Sequence, residues 1–119
     1  MANIYDVAYN LEQALKESED FKQLKSLYDQ INSDASSKRL FDSFRDTQLQ
    51  LQQKQMMGQE ITEEEVQKAQ QQFNLIQQHD TISKLMEVEQ RMSVIINDIN
   101  KIIMKPLEEL YGVPEDPQQ

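Results

Sequence analysis

An all-α fold is predicted by three features of the residues alone. The 119-residue chain holds two glycines and three prolines, too few for the tight turns of a β protein. Apolar residues recur every three to four positions along most of the chain, the period of a helix face. Glutamine, a good helix former, occurs 18 times, with 12 of these between Gln48 and Gln78. Leu49, Leu51, Val66, Phe73 and Ile76 are interspersed through that tract, which argues for folded helices over disorder.

The elements follow in order. Ile4, Val7, Ala8, Leu11, Ala14 and Leu15 form one helical face, and Asn3 precedes it as an N-cap whose side-chain oxygen can accept a first-turn amide. Ser18 offers a restart, followed by a second stripe of Phe21, Leu24, Leu27, Tyr28 and Ile31. Asn32-Ser33-Asp34 reads as a joint, with Asp34 capping a third helix that carries Leu40, Phe41, Phe44 and Leu51. Met56-Met57-Gly58 ends that helix, because glycine accepts the left-handed conformation of a helix terminus.

Thr62-Glu63-Glu64-Glu65 is the sharpest local signal. Its spacing is that of a capping box, with the Thr62 hydroxyl meeting the Glu65 amide and the Glu65 carboxylate reaching back. Three carboxylates also suit the positive end of the helix dipole, which explains them without a bound cation. Val66, Ala69, Phe73 and Ile76 carry this helix to about Gln78. Two arms joined by the short loop 58–61 describe an antiparallel helical hairpin over residues 34–78.

His79-Asp80-Thr81 is a break. Beyond it lies the most apolar stretch, including Ile82, Leu85, Met92, Ile95, Ile99 and Ile103. Pro106 cannot donate to the Ile102 carbonyl, so a kink or a short separate helix over 106–111 is expected there. Gly112-Val113-Pro114 closes the pattern, and residues 113–119 are expected to form a loose tail. One domain over residues 1–112 with about five helices accounts for the chain.

Geometry then predicts an elongated, self-associating molecule. A single helix over residues 81–105 spans about 37 Å. A compact domain of this length is only about 35 Å across. The remaining residues cannot wrap such a helix, and its stripe needs a second subunit to cover it. A homodimer or higher homo-oligomer is expected, with Ile95, Ile99 and Ile103 near the centre of the contact. The hairpin tip places Met56, Met57 and Ile61 far from any core the short loop could bury, which makes them candidate contacts for a protein partner.

Composition excludes several function classes. A net charge of −9 repels nucleic acid and anionic membranes, and Lys38, Arg39 and Arg45 are diluted by Asp34, Asp42 and Asp46. Neither is expected as a direct partner. The absence of cysteine removes thiol nucleophiles and thiolate metal sites. The single histidine, His79, is expected to cap or to lie at the surface. It lacks the Glu-x-x-His spacing of carboxylate-bridged metal bundles, since Ile76 stands three residues before it. Glu87 with Glu89, and Glu108 with Glu109, stand too close along a helix to share a face. No enzyme, cofactor or metal site is expected. With no apolar run of membrane-spanning length and no signal peptide, the expected location is cytoplasmic.

The ordered segments SEDFKQLKSLYDQI, SSKRLFDSFRDTQLQLQQKQMMGQEITEEE and KIIMKPLEELYG resemble the YlbF/YmcA family of small helical proteins of Gram-positive bacteria, most closely its YheA-like branch. The resemblance runs from about Ile4 to Gly112. It implies an all-α fold with a long hairpin, self-association, and a regulatory role. Relatives are linked to competence, sporulation and biofilm control, in complexes that influence RNA processing by a partner nuclease. Some carry cysteines associated with an iron–sulfur cluster, which this chain lacks. The expected function is a non-enzymatic regulatory adaptor, and the alternative is a purely structural homo-oligomer.

Overall fold

The computed structural model describes residues 3–112, which form five helices and no strand. These are α1 (Ile4–Glu17), α2 (Glu19–Asn32), α3 (Ala35–Met56), α4 (Glu63–Gln78) and α5 (Asp80–Tyr111). Each start is capped locally. Asn3 accepts from the Tyr5 amide, Ser18 from Phe21, and Asp34 from Ser36. Both halves of the Thr62–Glu65 capping box are formed. Gly58 and Gly112 take positive φ angles of 70° and 69° at the ends of α3 and α5, where a side chain would be strained.

The core is small and sits at one end. Leu27 and Ile31 of α2 meet Phe41 and Phe44 of α3, Ile76 of α4, and Ile82, Leu85 and Val88 of α5. The α2–α5 packing is the most extensive in the molecule. A polar cluster ties its rim: Arg45 and the Tyr28 hydroxyl both donate to the Glu89 carboxylate, joining α2, α3 and α5. Arg45 also lies over the Phe41 ring at 4.7 Å, and Tyr28 meets that ring edge-on at 5.8 Å. Arg91 reaches Asp20 at 3.2 Å on the other side of the α2–α5 seam. Glu87 turns instead to Lys84 and Arg91, so the two neighbouring glutamates serve separate faces.

Helices α3 and α4 pack against each other as a hairpin. Lys54 bridges its arms to Glu65, and the Gln72 amide donates to the Ser43 hydroxyl at 2.8 Å.

The molecule is extended, with principal dimensions of 53 × 37 × 21 Å and a radius of gyration of 18.8 Å. A compact chain of this length would give about 13.5 Å. Helix α5 is the reason: its 32 residues run on through Pro106, so no separate terminal helix forms. At about 1.5 Å per residue it spans roughly 48 Å. The Ile102 carbonyl loses its usual donor in an exposed stretch, where solvent can replace it. The expected tail, residues 113–119, lies outside the described residues.

The apolar stripes of α1 and of the later part of α5 are left largely open, as expected for α5. No residue of α1 is buried, and on α5 burial stops at Val88. The periodicity is that of a helix face, but among the described residues no helix covers either stripe fully.

Candidate interaction surfaces

The sole histidine is placed by two helices at once. The His79 backbone amide closes α4 by donating to the Ile76 carbonyl at 3.0 Å, while its ring Nδ1 accepts the Ile82 amide at 3.2 Å and starts α5. An accepting Nδ1 leaves the ring proton on Nε2, which lies 2.8 Å from Ser37 Oγ. Ser37 in turn donates to Asp34 at 2.6 Å. The Ser37 hydroxyl, first, and the Ser36 amide hold the Asp34 carboxyl below its ordinary range.

These are the residue types of a hydrolytic triad in the wrong order. The serine proton goes to the carboxylate, the imidazole donates instead of accepting, and Ser37 is buried. The knot is a joint between the start of α3 and the α4–α5 corner.

A cleft between the hairpin arms is lined by Thr47, Gln50, Leu51, Glu65 and Lys68, with a volume of about 80 Å³. That is well below the roughly 300 Å³ at which small-molecule pockets begin. Among the described residues, no three carboxylate or imidazole groups converge to hold a metal ion. With no cysteine, the chain's residues do not fit the iron–sulfur cluster associated with some relatives.

What the structure does present is uncovered apolar surface. At the hairpin tip, Met56 closes α3 and Met57 caps it, and they are 80% and 72% exposed. Ile61, expected beside them, is half-buried. Of the expected self-association residues, Ile95 and Ile99 are half-buried and Ile103 is 60% exposed. Beside and past them, Ile102, Leu107 and Leu110 continue the open face. Sequence reasoning missed a further surface on α1, where Ile4, Tyr5, Val7 and Tyr9 all stand exposed. The only available signal was quantitative: a core this thin cannot cover five amphipathic helices.

Among the described residues, no helix is long and apolar enough to cross a membrane. Residues 4–108 match the family described as control of competence regulator ComK, YlbF/YmcA. The UPF0342 protein YheA of Bacillus subtilis is 65% identical over 113 residues, 95% of this chain and 97% of that protein. A UPF0342 protein of Bacillus pumilus is likewise 65% identical, over 96% and 97% of the two chains. The solved structure of a protein of unknown function (DUF964) from Bacillus stearothermophilus superposes with a TM-score of 0.80. It is 41% identical, and the match covers 94% of this chain and 98% of that one. The solved structure of yheA from Bacillus subtilis gives a TM-score of 0.68 at 54% identity, covering 92% and 100%. With a match over nearly its whole length and relatives this similar, the chain belongs to the YlbF/YmcA family.

Proposed function

We propose that this protein is a non-enzymatic, cytoplasmic regulatory adaptor that works through protein–protein contacts as a homo-oligomer. The observation that carries the reading is the apolar face of α5, which is buried only as far as Val88 and largely open over the second half of the 32-residue helix. Such a face is costly to leave in water and suits association. The residues best equipped for chemistry, His79 and Ser37, are committed to holding a joint. Self-association uses Ile95, Ile99 and Ile103, and the tip around Met56, Met57 and Ile61 engages the regulated partner. The family's association with control of a competence regulator supports a regulatory role, and RNA processing through a partner nuclease is its most specific form.

Affinity purification of the native protein at endogenous level, with mass spectrometry of what is retained, tests this. An adaptor brings down a reproducible second protein, and changing Met56, Met57 and Ile61 together to Ser removes it while oligomer mass is kept. A chain that recovers only itself is a structural homo-oligomer. A partner retained unchanged by the triple variant eliminates the tip.

A further inference from the structure

Helix α1 and the C-terminal half of α5 present the same problem from two sides. Ile4, Val7 and Leu11 share one face of α1, and all are exposed. Ile103, Leu107 and Leu110 stand on the open face of α5. Ser18, extended at ψ 149°, breaks α1 from α2 and leaves it outside the α2–α5 seam. The lengths match: the 14 residues of α1 give about 21 Å, and α5 from Val94 to Tyr111 gives about 27 Å.

We infer that α1 of one copy seats on the C-terminal half of α5 of a second copy, reciprocally about a two-fold axis. The inference rests on the self-association part of the proposed function and specifies the surfaces that meet. Area favours a second copy as the occupant. Ile4, Val7, Leu11, Ile103, Leu107 and Leu110 are between 42% and 78% exposed, which puts the two faces together at or above the ~300–600 Å² of the largest patch on a typical monomer. A standard stable interface takes about 800 Å² from each partner. Reciprocal exchange covers both faces in both copies and closes the assembly, leaving no open end to propagate. A membrane surface fits poorly, because the polar side of α1 carries Asp6, Glu12 and Glu17 against Lys16 alone.

The chain has no cysteine, so single thiols can be placed cleanly. Val7→Cys and Ile103→Cys, one of them carrying a mass tag, are mixed and treated with a short bis-maleimide. Val7 and Ile103 are both exposed, and circular dichroism confirms that the variants fold. The expected product is a covalent heterodimer between the two variants in at least several-fold excess over either self-linked species. Lys101→Cys, whose position is on the opposite side of α5, should give none with Val7→Cys. Self-linked Ile103→Cys without the mixed product overturns the α1 docking while leaving self-association standing. An internal link in a chain carrying both thiols, without intermolecular product, overturns the exchange. A strictly monomeric wild type in light scattering overturns both the exchange and the homo-oligomer reading.

Discussion

Leu85 and Ile102 lie on the same helix, yet their replacement by alanine should differ in size and in dependence on protein concentration. Leu85 is 0% exposed at the centre of the α2–α5 seam, whereas Ile102 is 69% exposed. Leu85→Ala removes three buried carbons and leaves a cavity in the core cluster, for which about 2–5 kcal/mol is typical. Domains of this length have roughly 6–18 kcal/mol in total. With only eight buried apolar side chains among the described residues, this one should fall toward the low end, so the loss is a large share and lowers the melting temperature by on the order of 10 °C. Ile102→Ala removes nothing buried within the chain and should stay within about 0.5 kcal/mol. Urea unfolding followed by far-ultraviolet circular dichroism, at about 1 µM and about 100 µM protein, separates the terms because only a subunit contact responds to concentration. Leu85→Ala should be destabilised at both concentrations. Ile102→Ala should lose stability only at the higher one. A Leu85→Ala cost below about 1 kcal/mol, or an Ile102→Ala cost equal to it in the dilute sample, would refute the assignment of the core to the first third of α5.

Thr62→Ala removes the capping hydroxyl from the Glu65 amide and should cost about 1 kcal/mol in urea unfolding, whereas Glu64→Gln, outside the box, should cost much less. Tyr28 is pushed up to about 12, by burial first and then by its hydrogen bond to the Glu89 carboxylate. Its folded-state pKa lies above the unfolded value near 10, so this stabilisation is full below about pH 10 and is lost as pH rises through about 12. Tyr28→Phe should flatten that alkaline dependence in unfolding measurements; an unchanged slope counts against the cluster. Asp34 has its folded pKa depressed, so its contribution is present above the unfolded value near 3.9 and is lost as pH falls through the folded one. Asp34→Asn should lower stability at neutral pH and weaken its dependence on acid below about pH 4, and an acid limb identical to wild type would contradict the Asp34–Ser37–His79 joint.

The local half of this protein was legible in its residues. Asn3, Ser18, Asp34 and the Thr62–Glu65 pair could be read as helix starts because a cap bonds to amides two or three residues away. The hairpin was legible for the same reason, since a glycine terminus, a short loop and a capping box are all neighbours in the chain. The tip methionines were found as exposed because no loop of that length can bury them. Tertiary structure decided everything that depends on which helices lie side by side. Ser37 meets His79 across 42 residues, and Tyr28 meets Glu89 across 61, and no local pattern encodes either contact. The α5 stripe has one period throughout, yet only its first third is core, because α2 begins at Glu19 and its neighbour Asp20 already meets Arg91, so the α2–α5 seam runs out there. Periodicity reports which face of a helix avoids water; whether its own chain or another covers that face depends on packing.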